Sequence, residues 1–356
     1  MCRGIKTDRM ARPIKGEKPV GQSGPKVIID DKIPYIKGEI ERLASEVRYL
    51  PGSQISNADV RDADALIVRT RTRCDRALLE GSAVRFIVTA TIGFDHIDTD
   101  YCREAGIEWT NCPGCNANSV RWYVHNAIEA AGCLRRGMKV GIVGVGHVGS
   151  RVAADLRKAG LQPLLYDPPL ADQHPSVRID DVELPFVSLE TIIDQADIIT
   201  FHTPLTRSGA YPTFHMASSR FFDLLGRRPL VINASRGGVV DNEALLRAIR
   251  AGKVRDAVID TWEGEPDINR ELLREALIAT PHIAGYSADG KANATRMSLC
   301  ALARFFDKEF TPNVEPPAAP LLSVDTLLSD SRLLKQSPEQ FEDFRGNYPV
   351  RREPTL

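Results

Sequence analysis

The stretch KVGIVGVGHVGSRVAADLRKAGLQPLLYD (139–167) decides the fold of this 356-residue chain. It places an apolar run, a Gly-x-Gly-x-x-Gly turn, a helical pattern, a second apolar run and an aspartate in that order. Such glycines let the backbone approach a pyrophosphate at the N-terminus of the following helix, and the aspartate then faces ribose hydroxyls. The stretch predicts a Rossmann-type dinucleotide-binding domain. The residues predicted to bind the cofactor here are Gly144, Gly146, His147, Val148, Gly149 and Asp167.

Asp167 also indicates which dinucleotide is bound. A carboxylate accepts hydrogen bonds from the adenosine ribose of NAD, whereas its negative charge repels the 2′-phosphate of NADP. We therefore expect NAD as the cofactor.

Short apolar runs alternate with amphipathic stretches along most of the chain, which is typical of layered α/β domains. Before the glycine turn, the pattern predicts buried parallel strands at 26–30, 65–70 and 85–91, with helices at 34–48 and 75–81. After a long helix at 118–134, it predicts a second series of strands at 139–144, 162–167, 197–204, 229–235 and 256–262. A helix at 289–310 and a proline-rich linker at 311–320 follow. The length and the pattern together predict more than one domain.

Composition and charge exclude several classes of function. Lys and Arg number 46 against 47 Asp and Glu, for a net charge of -1, so no general field attracts nucleic acid or a membrane surface. No apolar run approaches the roughly 20 residues of a membrane helix. Seven scattered cysteines favour free thiols in a reducing, cytoplasmic compartment. The pair Cys112 and Cys115 has no second ligand pair, so we expect structural thiols and no metal.

Three polar residues that follow predicted strands form a candidate catalytic group. Arg236 comes directly after the strand at 229–235, where a guanidinium can bind a substrate carboxylate through two parallel hydrogen bonds. Glu265 and His282 each lie shortly after a later apolar run. A carboxylate beside an imidazole orients the ring and stabilises its protonated form. Such a histidine can take a hydroxyl proton while a hydride leaves the same carbon.

These motifs resemble those of the D-2-hydroxyacid dehydrogenase family. In order along the chain they are GIVGVGHVG, the aspartate of LLYDPP, FHTPL, INASRGGVVDN, DTWEGEP and PHIAGY. More narrowly, TATIGFDHID, NCPGCNANSV, YDPP and HIAGYSADGKA are similar to the 4-phosphoerythronate branch of the family, which serves pyridoxal phosphate biosynthesis. The resemblance extends from about Lys26 to Arg352. It implies NAD-dependent oxidation of a D-2-hydroxy acid, with phosphorylated erythronate as the expected substrate.

The resemblance also implies a role for individual residues. The family's carboxylate-binding arginine corresponds to Arg236, its acid/base to His282, and the glutamate paired with that histidine to Glu265. Glu263 is the alternative in the same motif, but the family places the catalytic carboxylate immediately before proline, as Glu265 is. The implied NAD contacts are Asp167, Thr203, Ala234, Ser235, Arg236, Asp260 and Gly285, and the implied substrate contacts are Thr70, Thr91 and Tyr286.

The domain organisation implied by the resemblance is an α/β architecture with a Rossmann-type NAD-binding domain inserted in a flavodoxin-like, discontinuous substrate domain. A short C-terminal dimerisation segment completes it, so we expect a homodimer. One departure from the family is Arg121-Trp122, where a small residue and glutamate usually stand. The expected parts are a disordered lead-in at 1–25, the substrate domain at 26–115, the NAD-binding domain at 116–284, the return helix at 285–310, and the linker with the dimerisation segment at 311–356.

Two other functions stay open at this point. One is a related dehydrogenase of the 3-phosphoglycerate or glycerate type, and the other is a non-catalytic NAD-sensing protein like the corepressors that share this fold. A phosphorylated substrate needs phosphate donors of its own, because Arg236 is assigned to the carboxylate. The candidate donors are Arg69 and Arg71, which flank Thr70, and the tail arginines Arg345, Arg351 and Arg352.

Overall fold

The computed structural model describes residues 24–354, so residues 1–23 of the predicted lead-in lie outside the described part. The chain divides into two compact units. The first contains the chain up to Cys115 together with Lys291–Pro317, and the second contains Asn116–Gly290 and the chain from Ala318 onward. The first unit is therefore discontinuous in sequence, because the second is inserted in it.

The first unit is built on a parallel sheet. Its strands are β1 (Lys26–Asp30), β2 (Glu46–Leu50), β3 (Ala65–Val68), β4 (Phe86–Thr89) and β5 (Glu108–Thr110), and its first helices are α1 (Asn57–Val60), α2 (Arg76–Leu79) and α3 (Thr99–Ala105). The strand order is β2-β1-β3-β4-β5, and every pair is parallel. This 2-1-3-4-5 order is the flavodoxin-like one. The predicted fold of this domain is confirmed.

The predicted helix at 34–48 is wrong. Tyr35 has a φ of +60° and Gly38 a φ of +86°, and both angles interrupt a right-handed helix. Only a single 3₁₀ turn forms, at Ile40–Arg42, and the next residues build β2 at the sheet edge. The strand was missed because EVRYL carries the charges expected of an edge strand and is not a continuous apolar run.

The second unit contains the larger sheet. Its strands are β6 (Lys139–Val143), β7 (Gln162–Tyr166), β8 (Ser176–Ile179), β9 (Val182–Pro185), β10 (Ile198–Phe201), β11 (Leu230–Asn233), β12 (Asp256–Ile259) and β13 (Ile278–Ala279). Its helices up to this point are α4 (Ala117–Ala130), α5 (His147–Lys158), α6 (Pro168–Ala171), α7 (Leu189–Gln195), α8 (Ser219–Asp223), α9 (Asn242–Arg250) and α10 (Arg270–Glu275). Strands β8 and β9 form a separate antiparallel pair.

The main sheet of this unit has the order β13-β12-β11-β10-β6-β7, with all pairs parallel. From β6 the chain adds β7 on one side of the sheet, and from β10 it adds the later strands on the other side. This reversal creates a switch point between β6 and β10, where the connections that follow the carboxyl ends of the two strands run in opposite directions. Central residues such as Ile142, Ile199 and Ile232 are fully buried, since helices cover both faces. The Rossmann prediction is confirmed.

The long helix α11 (Ala288–Phe305) follows the second unit, and from Lys291 it belongs to the first. Its Leu299 and Leu302 are buried in one apolar cluster with Ile29 of β1. The opposite face of the same sheet packs Ile28 in a separate cluster with α2 and α3. The central strands β1, β3 and β4 of the first sheet are thus buried on both faces.

The C-terminal tail folds on the second unit of its own chain. It contains α12 (Val324–Gln336) and α13 (Phe341–Gly346), and it buries Leu327, Leu334 and Phe341 in the two cores of that unit. The indole Nε1 of Trp122, in α4, donates to the carbonyl of Leu322 at 2.8 Å. Trp122, which stands where the family usually has another residue, therefore binds the start of the tail to α4. Within residues 24–354 no helix is long and apolar enough to cross a membrane.

Candidate active site

The glycine turn after β6 is shaped by steric contacts. Gly144 has a φ of +90°, and a Cβ there would lie 2.8 Å from the backbone of His202. A Cβ on Gly149 would overlap the carbonyl oxygen of Gly144, whereas a Cβ on Gly146 would meet only open space. The outer glycines thus allow close packing, and the middle one leaves room beside the N-terminus of α5. This cradle fits a pyrophosphate group.

Polar groups of neighbouring strand ends surround this turn. Asp167, directly after β7, accepts hydrogen bonds from the backbone N–H of Val145 at 2.8 Å and of Leu170 at 3.2 Å. Thr203, beyond β10, has a buried Oγ1 with no hydrogen-bond partner among the described residues. A buried hydroxyl without a partner is costly unless a ligand satisfies it. The residues present therefore fit a bound dinucleotide.

Arg236 lies on a tightly fixed turn after β11. Asn233 accepts hydrogen bonds from the N–H and the hydroxyl of Ser235, and its side-chain amide donates to the carbonyl of Arg236 at 3.1 Å. The partly buried guanidinium donates to the Ser235 carbonyl at 2.9 Å. A Cβ on Gly237 would overlap the carbonyl of Trp262. The arginine turn is therefore pressed against the turn that follows β12.

Glu265 and His282 form the pair that the sequence predicted. Nδ1 of His282 lies 2.9 Å from Oε2 of Glu265, whose other oxygen accepts the N–H of Trp262 at 2.8 Å. Burial raises the pKa of Glu265, but the hydrogen bond and charge of His282, the N–H of Trp262 and the charge of Arg345 together hold that pKa below its ordinary value. With Nδ1 directed at the carboxylate, Nε2 is the ring nitrogen that can meet a substrate.

The alternative carboxylate, Glu263, has a different partner. Its Oε1 lies 2.6 Å from Nε2 of His215, and its Oε2 accepts the backbone N–H of Asn242 at 2.9 Å. These contacts bind two turns of the second unit together. Of the two glutamates in DTWEGEP, it is therefore Glu265 that contacts His282.

Asp260 supports the loop that carries the histidine. Its side chain is 1% exposed, and its carboxylate accepts hydrogen bonds from the Thr280 hydroxyl and from the N–H groups of Ile283 and Ala284, at 2.7, 2.7 and 3.0 Å. The N–H of His282 donates to its carbonyl at 2.8 Å. Burial raises the pKa of Asp260. Its position thus fits a residue that holds the loop, and its contact with NAD stays a prediction.

Gly285 and Tyr286 occupy the end of the same loop. A Cβ on Gly285 would overlap the side-chain amide of Asn116, so a larger residue there would displace that amide. The Tyr286 hydroxyl accepts a hydrogen bond from Nε of Arg345 at 3.2 Å, and Nη1 of this arginine lies 3.8 Å from Glu265. A tail arginine is therefore part of the surroundings of the histidine pair. Ala234, which was assigned to NAD, is partly buried beside the core.

The predicted substrate residues Thr70 and Thr91 lie in the first unit. Because β3 ends at Val68, Thr70 is already outside the strand, and it is exposed. The Thr91 hydroxyl donates to the carbonyl of Gly93 at 2.8 Å. Nε of Arg69, which precedes Thr70, lies 3.3 Å from the buried carboxylate of Asp30.

The sequence did not predict the positions of two residues in the site. Asn116, at the start of α4, packs beneath Gly285 and Gly290 and has a buried Oδ1 without a partner among the described residues. Its only signal was its place in NCPGCNANSV. Arg351, considered only as a phosphate donor, is instead buried against backbone carbonyls. No sequence pattern distinguished it from the arginines beside it.

The CxxC cysteines, Cys112 and Cys115, are buried and form no disulfide. The Cys112 thiol donates to the carbonyl of Ala294 at 3.3 Å, and burial raises its pKa to about 11. A thiol with so high a pKa is a poor nucleophile and a poor metal ligand at neutral pH. In the part of the chain that the structure describes, no three His, Cys, Asp or Glu side chains are grouped to hold a metal ion.

Known proteins resemble this chain over most of its length. The NAD binding domain of the D-isomer specific 2-hydroxyacid dehydrogenases matches residues 116–284. Erythronate-4-phosphate dehydrogenase from Bacteroides thetaiotaomicron is 52% identical over 344 residues, which cover 92% of this chain and 97% of that protein. The Bacteroides fragilis enzyme of the same name is 53% identical with the same coverage.

Solved structures share the fold. D-lactate dehydrogenase from Aquifex aeolicus, complexed with NAD and lactic acid, matches with a TM-score of 0.62 at 24% identity, over 79% of this chain and 96% of that one. The fold, the glycine turn and the relatives agree. The chain belongs to the erythronate-4-phosphate dehydrogenase family, and its second unit carries the NAD-binding domain of the D-isomer specific 2-hydroxyacid dehydrogenases.

Proposed function

We propose that this chain oxidises 4-phospho-D-erythronate to (R)-3-hydroxy-2-oxo-4-phosphooxybutanoate with NAD, a step of pyridoxine and pyridoxal 5′-phosphate (vitamin B6) biosynthesis. The observation that carries the proposal is the Glu265–His282 pair, in which Oε2 of Glu265 lies 2.9 Å from Nδ1 of His282. The pair lies in the same unit as the glycine turn. Relatives bearing the name of this activity are more than half identical over nearly their whole length.

His282 is the proposed acid/base. Its Nε2 takes the proton of the C2 hydroxyl, the C2–O bond becomes a carbonyl, and the hydrogen on C2 leaves as a hydride. NAD, when bound, supplies the acceptor for that hydride. Glu265 orients the ring and stabilises its positive charge after the proton is taken. The imidazole thus passes between neutral and charged forms without losing its position.

Arg236 is the proposed ligand of the substrate carboxylate. Its guanidinium can donate two parallel hydrogen bonds, which fixes the acid and polarises the C2 oxygen. Thr70, Thr91 and Tyr286 are proposed as further substrate contacts. The proposed NAD contacts are those of the glycine turn with Asp167, Thr203, Ala234, Ser235, Arg236, Asp260 and Gly285.

The substrate phosphate requires a cation that is accessible and lies beside the other proposed substrate contacts. Arg351 is 5% exposed and donates to backbone carbonyls, Arg352 pairs with Asp289 at 2.8 Å, and Arg69 pairs with Asp30. Arg345 also has carboxylate neighbours, with Nη1 3.8 Å from Glu265 and 3.5 Å from Glu342, but it is partly exposed and its Nε donates to the hydroxyl of Tyr286, itself a proposed substrate contact. Of the tail arginines, Arg345 is therefore the one we assign to the phosphate.

A substrate panel tests the function. Purified protein with NAD should form NADH, followed by its absorbance, with the highest kcat/KM for 4-phospho-D-erythronate among erythronate, 3-phosphoglycerate, glycerate and D-lactate. A preference for 3-phosphoglycerate or glycerate would favour the related dehydrogenases instead. Tight binding of NADH without oxidation of any acid would favour an NAD-sensing protein and contradict the proposal.

We also infer a homodimer in the cytoplasm. None of the six described cysteines forms a disulfide, which fits a reducing compartment. The dimer is a family expectation, and the tail supports it only through the apolar residues that it still exposes, such as Leu333 at 47%. Light scattering at micromolar concentration should give twice the chain mass, and a monomer mass would contradict the inference.

A further inference from the structure

The last residues of the tail run beside the loop that carries the proposed acid/base. This histidine loop (residues 281–287) joins β13 to α11. The N–H of Ala288 donates to the carbonyl of Arg351 at 2.8 Å, and the Ser287 hydroxyl donates to the carboxylate of Glu353 at 2.6 Å. All these residues belong to the second unit. The tail is thus a direct neighbour of the loop.

The side chain of Arg351 is almost completely buried against this loop. Its Nε donates to the Tyr286 carbonyl at 2.6 Å, and Nη2 donates to the carbonyls of Ile283 and Ala284 at 2.7 and 3.1 Å. Its Nη1 donates to the Tyr348 hydroxyl at 3.1 Å. Burying a guanidinium is costly unless its donors are satisfied, and here three loop carbonyls satisfy them.

An opposite charge holds the other side of the same loop. The Asp260 carboxylate accepts the N–H groups of Ile283 and Ala284, whose carbonyls accept from Arg351. Successive peptide groups are therefore fixed between a buried anion and a buried cation. His282 comes immediately before these peptides and has a φ of +57°. A residue with a Cβ adopts this backbone conformation only when its surroundings impose it.

We propose that Arg351 is a positioning residue for His282 and Tyr286, through which the folded tail sets the geometry of the active site of its own chain. The expected effect on kcat rests on the proposed function, whereas the expected effect on the conformation of the histidine loop does not. A simple anchor for the tail would not need these contacts. The tail is already held by Trp122, by the Arg352–Asp289 ion pair, and by buried apolar residues that include Leu327, Leu334 and Phe341.

The test compares Arg351→Met with Arg352→Met as the matched control. Methionine keeps most of the buried volume of Arg351 but removes all its donors, whereas the control breaks an ion pair of the same tail outside the histidine loop. Misplacing an acid/base by about 1 Å costs on the order of 10²-fold in rate. We expect kcat per folded enzyme to fall by about that factor in Arg351→Met and by less than about threefold in Arg352→Met.

Hydrogen exchange gives a readout independent of activity. In Arg351→Met, the amides of a peptide covering 281–288 should exchange faster than in the wild type, while the control leaves them unchanged. Arg351→Lys keeps the charge with fewer donors in a fixed geometry, so its kcat should lie between those of the wild type and Arg351→Met. If Arg351→Met does not fold, the lysine variant carries both measurements.

Unchanged exchange of the loop in a folded Arg351 variant would overturn the inference, as would a kcat equal to that of the wild type. An inert wild type would instead refute the proposed function, and the exchange of the loop would then decide the inference alone. The affinity for NAD, measured by calorimetry, should fall far less than kcat, because Gly285 is the one proposed NAD contact within the histidine loop and the glycine turn has its own contacts.

Discussion

The glycine turn and the histidine loop of the second unit are held in place in different ways. The glycine turn has several contacts that are close in sequence, since Gly149 packs on the Gly144 carbonyl and Asp167 accepts the N–H of Val145 22 positions away, and Gly144 also packs against the backbone of His202 after β10. The histidine loop depends on Asp260 and on Arg351, which contacts it from 65 and 68 residues along the chain. A cofactor cradle can be local, whereas the acid/base needs contacts assembled by the whole unit.

The largest effect on kcat should come from replacing His282, the proposed acid/base of the histidine loop. Replacing the acid/base in His282→Gln should lower kcat by roughly 10²- to 10⁴-fold, because glutamine cannot take the hydroxyl proton. Binding of NAD, measured by fluorescence or calorimetry, should stay near the wild-type value, since the glycine turn is held separately. Loss of NAD binding together with activity would refute this separation of the two regions.

His215 offers a control for that variant. Its Nε2 lies 2.6 Å from Oε1 of Glu263, so the second unit contains a second histidine–glutamate pair, joined through Nε2 where His282 uses Nδ1. His215→Gln should keep kcat within a few-fold of the wild type. A defect as large as that of His282→Gln would mean that the assignment between the two pairs is wrong.

Glu265→Gln should have the next largest effect, about 10²-fold on kcat, because the amide neither balances a protonated imidazole nor fixes its orientation. The pKa of Glu265 lies below its ordinary value of 4.5 in the folded protein. A group with a depressed folded pKa contributes stability above its unfolded pKa and loses it as pH falls through the folded value. Below about pH 4.5, thermal unfolding of the wild type should therefore depend more steeply on pH than that of the variant.

Glu263→Gln is the matched control for this experiment, because the two glutamates lie in one turn. Its kcat should change by less than about threefold, since its carboxylate contacts His215 and Asn242 and not His282. Equal losses in the two variants would show that the turn as a whole, rather than Glu265, supports the acid/base.

A smaller effect is expected at Arg345, the tail arginine beside the histidine loop, and it should depend on the phosphate of the substrate. Arg345→Met should raise KM for 4-phospho-D-erythronate by about 10- to 100-fold, the loss of a charge-assisted contact of about 1.5–3 kcal/mol. KM for unphosphorylated erythronate should change much less. Equal changes for both acids would remove Arg345 from phosphate recognition and leave Arg71 as the next candidate to test.

The same contrast explains what the sequence was able to predict. The Rossmann unit, the strand series and the pairing of Glu265 with His282 follow from spacing and from the family motifs, and they are found in the structure. Strand β2 was missed because an edge strand needs no apolar run. The contact between Arg351 and the histidine loop had no local signal, because a buried arginine and a solvated one look alike in a sequence.

The smallest effect should come from the glycine turn, and it concerns affinity rather than catalysis. Asp167→Ser keeps an oxygen that can cap α6 but removes the charge, so NAD affinity should fall about tenfold and rejection of NADP should be relieved. Asp172→Ser, at the other end of the same short helix, should change neither affinity. Calorimetry with both dinucleotides measures this, and kcat at saturating NAD should stay close to the wild-type value because the histidine loop is untouched. A wild type that binds NAD and NADP equally would refute the role of this carboxylate, while a large loss of kcat would show that the two regions are coupled after all.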